Sequence, residues 1–520
     1  MGYRSVSTAD TAHRAAPYSV LKSGPTAEFE LKYLNPSLRF LFLGTYLDDA
    51  DYLVESDFDY KGLLRIKVET EKFIHNLDNI SYNRPAADND ATAPDLIDFI
   101  DRSARNDYFV NVEIDKVSMK AKLPDYPAHL TLGYWRLERS GKKQLRYLNE
   151  GGDAACSQCH MESKSQDIDR VTEEFTIGLD THFGYLNLAV EQLFREFHDR
   201  ESAPFDAFGS TDNLFGAPVR DPGFYRHDAT PDSRLVSTTI KASTSPSGGV
   251  VAAAGFTVGK KENLTGSGLG VSPVESETDF RKASADLTLI PTPKLTLNFR
   301  YRMLDQDNSN SSQISVAGLD PADVAVRNNI DFTRATYNAK ASYRPLNRLT
   351  LMGEFERREI HRSQTGPAFD DPFDPFWELP EDENINRYRL SFIARPLGPS
   401  SLKINAWYEY LTSDDPAYGA SVEEQQQVFA GVNWTPSARF GATANLRLSR
   451  GINSNFERSE YSGGTLYRYD IDRYQRQEDF TLGLWSQLTD ALNINLHYGF
   501  LRSDTSQDVM FGAAPDPLIN

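Results

Sequence analysis

The stretch Leu295-Thr296-Leu297-Asn298-Phe299-Arg300-Tyr301-Arg302-Met303 sets Leu, Leu, Phe, Tyr and Met at odd positions against Thr, Asn, Arg and Arg at even ones. Strict period-two alternation describes a β-strand with one apolar and one polar face. The pattern returns in Leu402 to Tyr410, where Leu402, Ile404, Ala406, Tyr408 and Tyr410 oppose Lys403, Asn405, Trp407 and Glu409. Phe440 to Leu448 and Leu492 to Phe500 repeat it. A soluble sandwich alternates in the same way, so the choice of fold rests on three further features. The polar face carries Arg, Lys and Glu in mid-strand, which suits a wet lumen. Aromatics gather near strand ends, at Tyr301, Tyr408, Tyr410, Tyr498 and Phe500, where interfacial girdles belong. Short turns at Asn35-Pro36-Ser37, Pro291 to Lys294, Pro345 to Arg348, Pro396 to Ser400 and Pro436-Ser437 alternate with long polar loops.

The expectation is an all-β chain, a large antiparallel transmembrane β-barrel of about 20–26 strands, with short periplasmic turns and long external loops. Residues 1–520 form one barrel. About 21 strands are legible: 2–8, 27–34, 38–46, 51–60, 62–74, 107–119, 128–139, 172–182, 185–197, 233–243, 250–258, 279–289, 293–303, 330–343, 348–358, 385–395, 400–411, 425–435, 438–449, 476–487 and 490–501. An odd count leaves the last strand without a return, and the tail from Phe511 to Asn520 supplies none. No charged and apolar leader precedes Gly2, so an exported chain reads here as a mature or trimmed form.

Composition agrees. The 520 residues carry a formal charge of −19, which argues against a phosphate-backbone binder; no nucleic acid is expected. Hydrophobic residues make up 39%, and no run reaches the ~18 apolar residues of a spanning helix. Thirty Phe and 25 Tyr are too many for a disordered chain. Acidic residues crowd one loop, at Asp370, Asp371, Asp374, Glu378, Glu381, Asp382 and Glu383, which reads as a solvated loop ahead of a divalent-cation site. No G-x-S-x-G, HExxH or Walker loop occurs, and the chain reads as an electron-transfer or transport protein, not an enzyme.

Both cysteines fall in Cys156-Ser157-Gln158-Cys159-His160, inside a polar connection read as a loop over 140–171. C-x-x-C-H is the attachment pattern of a c-type haem, with two thioethers and the adjacent imidazole on iron. One covalent haem c is therefore expected on Cys156 and Cys159, with His160 as axial ligand. Gly151, Gly152 and Asp153 would let the loop fold into the barrel mouth. The alternatives are a Cys156–Cys159 disulfide and, more weakly, a zinc site short of a fourth ligand. For the sixth iron position His182 comes first, on the lumen-facing set Thr176, Gly178, Asp180 and His182. His129 and His198 follow, and His497 also reads as lumen-facing.

The chain resembles the MtrB/PioB-like outer-membrane β-barrels of porin–cytochrome electron conduits. The resemblance rests on Gly2-Tyr3-Arg4, on Phe73-Ile74-His75-Asn76-Leu77-Asp78-Asn79 after an early hairpin, and on the strand-turn rhythm. It implies an integral protein of the bacterial outer membrane, a sheath around multihaem c-type cytochrome for extracellular electron transfer, with cytochrome partners in the periplasm or lumen and at the outer surface. The chain's own C-x-x-C-H departs from that pattern. A diffusion porin or transporter with a disulfide-held loop and no haem is the alternative.

Overall fold

The computed structural model describes residues 1–6, 22–77, 97–103, 108–149, 159–208, 211–212, 218–220, 222–227, 230–244, 248–265, 276–311, 313–315, 323–325, 329–363, 379–398, 401–462 and 465–514. The strands are β1 (Gly2–Arg4), β2 (Gly24–Leu34), β3 (Leu38–Asp48), β4 (Asp51–Tyr60), β5 (Leu64–Asn76), β6 (Ile97–Asp101), β7 (Phe109–Lys122), β8 (Ala128–Asn149), β9 (Cys159–Phe183) and β10 (Leu186–Asp199). Four short pieces follow: β11 (Phe205–Phe208), β12 (Thr211–Asp212), β13 (Pro218–Arg220) and β14 (Gly223–Arg226). Then come β15 (Ser233–Thr244), β16 (Val250–Asn263), β17 (Ser276–Thr292), β18 (Leu295–Asn310), β19 (Gln313–Ser315), β20 (Asp323–Ala325), β21 (Phe332–Leu346) and β22 (Leu349–Arg362). The last are β23 (Asp382–Ala394), β24 (Leu402–Ser413), β25 (Glu424–Ser437), β26 (Phe440–Ser462), β27 (Thr465–Thr489) and β28 (Leu492–Ala514).

Among the described residues, twenty-two strands share one sheet. Apart from the short β1 and β6, they form an antiparallel meander in which each long strand pairs with the next in sequence, from β2 to β28. Each long strand matches one read from the sequence. The first, expected over 2–8, is described as the three-residue β1 on β2. The turns at 35–37, 293–294, 347–348 and 438–439, and the one that leaves β23 at Ala394, all fall at one end of the sheet, as expected. Lys61 and Gly62 take φ of 53° and 65° at the same end, which suits the tight return from β4 to β5.

Alternation decides what each face meets. On β9 the odd positions Phe175, Ile177 and Leu179 are 54%, 48% and 45% exposed, and they pair in register with Phe194, Gln192 and Val190 of β10. A row of exposed large apolar side chains is the lipid face of a barrel. Tyr134 pairs with Phe175 at its outer edge, and Tyr301 with Tyr337 further round. The even positions face the lumen and join across strands as ions: Glu174 with Arg195, Asp180 with Lys120 at 2.9 Å, and Asp286 with Arg300 at 3.0 Å. In contact with lipid, every backbone polar group must find a partner within the sheet, and this ladder supplies it.

Three strand pairs run far past the lipid band. The connection expected as a loop over 140–171 is instead a hairpin, with β8 continuing to Asn149 and β9 beginning at Cys159. The sequence reading stopped these strands where apolar alternation stops. Above the membrane no face needs to be apolar, and the backbone ladder alone continues the hairpin. β26 and β27 extend in the same way to Ser462 and Thr465, and β28 follows β27 to Ala514.

Candidate functional site at the outer rim

The β8–β9 hairpin carries the C-x-x-C-H motif at its tip. Cys156 lies outside the described residues. Cys159 and His160 are the first two positions of β9, with His160 in register with Asn149. From Phe175, at the edge of the lipid band, to His160 is 15 residues, about 50 Å along an extended strand. The motif therefore stands out from the barrel and not in its mouth, which corrects the inward-folded loop expected from the sequence. The backbone at Cys159–His160 is extended, and consecutive positions of a strand lie on opposite faces.

The sixth ligand expected from the sequence is not brought near. His182 is 22 residues from His160 on the same strand, about 70 Å away. It sits at the periplasmic end, with Nδ1 at 2.5 Å from Asn187 Oδ1. His182 cannot complete a haem site at His160. His129 is held at the same end by Asp180 at 3.0 Å. His198 pairs with Val171 in register and contacts Asp232 at 3.2 Å. The Asp232 carboxylate raises the His198 pKa against the opposing effect of burial, and Glu196 adds to it.

What the structure assembles below the tip is a small polar core that the sequence reading missed. The edge of β9 beyond the reach of β10 is covered by β6, which pairs with it in parallel from Cys159 to Ser163. Covering a free edge removes a row of unpaired backbone groups. Arg102, just after β6, donates its backbone N–H to Ser163 O at 2.8 Å and its guanidinium to Glu162 Oε2 at 2.7 Å. Tyr147 donates its hydroxyl to the same carboxylate oxygen at 2.8 Å. Glu162 and Ser163 are buried, at 6% and 0% exposure. Burial and the Glu162 hydrogen bond both push the Tyr147 phenol well above its ordinary pKa.

The hairpin of β11 and β14 docks on this core. Asp206 receives Lys164 Nζ at 2.6 Å and lies 2.5 Å from His227 Nε2. His227 packs edge-on to Tyr147, with centroids 4.6 Å apart, and Phe208 closes the cluster at 5.5 Å from the imidazole. Burial raises the Asp206 carboxyl pKa, but Lys164 and His227 outweigh it and hold the group below its usual value. Glu162 and Lys164 share strand parity with the lumen-facing Glu174, so the hairpin sits on that face of the tower. Chemically the cluster is a joint: its charges are matched and turned inward on one another. Nothing local in the sequence marks it, because its parts come from four separated segments.

Of the acidic loop, Asp370, Asp371, Asp374 and Glu378 lie outside the described residues. Glu383 is buried against Arg362 at 2.7 Å. Among the described residues, exposed His361, Glu381 and Asp382 bring one donor atom each within 4.8 Å of one another, a spacing open to a cation.

Residues 259–412 match the family model of putative outer membrane β-barrel porins, MtrB/PioB. Over that span the chain is similar to the MtrB/PioB porins, and its ladder is that of an outer-membrane β-barrel. The match covers β17 to β24, the part of the meander that includes the stretch first quoted, and it bears out the resemblance read from the sequence. The protein is integral to the bacterial outer membrane, with the strand ladder as its spanning element. No curated protein sequence matches the chain. Among solved structures, the chain is similar to the ferric yersiniabactin uptake receptor FyuA of Yersinia pestis, at 11% identity over 92% of this chain and 81% of that one, with a TM-score of 0.46. It is also similar to the ferric-catecholate import receptor Fiu of E. coli, at 12% identity over 93% and 80%, with a TM-score of 0.43. The barrel assignment rests on the ladder itself and on the family match over residues 259–412, not on these likenesses.

Proposed function

We propose that this MtrB/PioB-type barrel is the sheath of an electron conduit, wrapping a multihaem c-type cytochrome so that electrons cross the outer membrane. The observation that carries the reading is the width of a charged, polar lumen. Twenty strands tilted at ~40° and spaced ~4.8 Å apart make a wall on the order of 40 Å across, backbone to backbone. That exceeds what a solute porin needs, and a lumen of this size leaks unless filled. Its lining of cross-strand ion pairs suits a hydrated protein occupant. A single haem cannot bridge ~30 Å of hydrocarbon, so the occupant must bring several. The test is electron transfer across proteoliposomes that enclose a reporter dye, with barrel and cytochrome together. Dye bleaching by an external reductant supports the sheath, and bleaching by cytochrome without barrel removes the need for it.

A haem of the chain's own rests on the spacing Cys156-x-x-Cys159-His160 alone. The alternative is a Cys156–Cys159 disulfide with no haem. Haem staining after denaturing electrophoresis separates the two, because only a covalent haem survives. A stained band lost in Cys156→Ala/Cys159→Ala supports attachment. An unstained band from cells competent in c-type maturation leaves a redox-sensitive hairpin tip.

A further inference from the structure

The lumen is electrically lopsided. On β4 and β5 the inward positions Glu55, Asp57, Asp59, Glu69 and Glu71 outnumber Arg65 and Lys67. Nearly half-way round the ladder, β15 to β22 enclose a recess of about 920 Å³ lined by Lys241, Lys282, Arg302, Arg334 and Arg358, with Asp286 its only carboxylate. Its construction is specific. Ser243, Gly255, Thr257 and Ser284 give it a low floor on β15 to β17, and a Cβ at Gly255 would stand 2.9 Å from Ser284 Oγ. The long cations rise around that floor. Asp286 is engaged by Arg302 at 2.7 Å and by Arg300, and Arg358 reaches Glu356 only at 3.8 Å. Ion pairs among the described residues take in none of Lys241, Lys282 and Arg334. Lys241, Gly255, Ser284, Arg302, Thr336 and Arg358 follow one another in register across six strands, so the cations line one row of the lumen wall.

We infer that this recess is a polyanion seat, taking clustered carboxylates. Several cations lining one wall focus a positive potential where an anion enters; Lys241 and Arg334 have no ion-pair partner among the described residues, and Lys282 holds the face of the Phe280 ring at 4.7 Å. The inference does not depend on the conduit reading. A free polycarboxylate passing the lumen and the acidic face of a protein filling it both carry this chemistry, and the test separates the two sources.

The experiment is blockade of the purified barrel's conductance in planar bilayers, with citrate or with poly-glutamate as the probe. Wild type should be blocked, and the block should weaken as salt is raised. Lys282→Gln/Arg334→Gln/Arg358→Gln should weaken it at least about tenfold, the loss expected on removing charge-assisted hydrogen bonds. Lys67→Gln, on the acidic wall, should change it less than about threefold on the same scale. Block by citrate identifies a seat open to free anions, and block by poly-glutamate alone identifies one for protein-borne carboxylates. No block by either, or block undiminished in a triple variant whose heat-modifiable mobility shows it folded, overturns the inference. Arg334→Gln alone, expected to weaken block at least about threefold, serves the same purpose if the triple variant does not fold.

Discussion

The Tyr147 hydroxyl meets Glu162 Oε2 at 2.8 Å across the outer hairpin, and the Arg102 guanidinium meets the same oxygen at 2.7 Å. This carboxylate ties three segments together just below the C-x-x-C-H tip. Removing it in Glu162→Ala leaves a half-buried phenol and the Arg102 guanidinium without that acceptor and costs about 1–2 kcal/mol of local stability. The loss should appear as faster tryptic cleavage after Lys142 and Lys143, with the heat-modifiable mobility of the barrel unchanged. Equal cleavage rates in variant and wild type would show that the tower stands without this joint.

Two groups outside the membrane give pH dependences of opposite sign. Asp206 has a folded pKa below its unfolded one, so its stabilisation is present above the unfolded value near ~4 and lost as pH falls through the folded value. His198 has a folded pKa above its unfolded one, so its contribution is full below ~6.5 and lost as pH rises through the folded value. Hydrogen exchange in the β11–β14 hairpin should therefore accelerate in acid, and Asp206→Asn should flatten that response. Exchange around Asp232 should accelerate on the alkaline side, and His198→Gln should abolish the change.

Strand parity on β9 makes a sharp contrast between neighbours. Ile177→Arg puts a charge into lipid and should cost about 2–4 kcal/mol near the midplane. Thr176→Arg places the same side chain in the lumen and should cost well under about 1 kcal/mol by the usual range for wetted surface positions. Urea-dependent folding into vesicles measures both. Similar losses at the two positions would mean that the lipid and lumen faces are misassigned.

How much of this was legible depends on what writes a signal into the chain. Within the membrane each strand must show lipid an apolar face, so Leu295 to Met303 and its repeats declare themselves. Beyond the lipid that demand ends. Lys142 to Asn149 and His160 to Asp169 carry only scattered apolar residues with no sustained alternation, and nothing in their pattern separates a hairpin from a loop. His182 was a reasonable lumen residue, and it pairs with Asn187 as one. Its distance from His160 was hidden because the strand length between them was read as half loop. The Glu162 joint was hidden for another reason: Arg102, Tyr147, Asp206 and His227 meet only in three dimensions.

The central proposal is that this outer-membrane barrel wraps a cytochrome. It is tested most directly by isolating the protein from its native outer membrane in mild detergent and treating the intact complex with protease. The account predicts a haem-staining, multihaem partner that co-elutes with the barrel and resists digestion until the barrel is unfolded. A barrel that elutes without haem-bearing protein and conducts ions freely would contradict it.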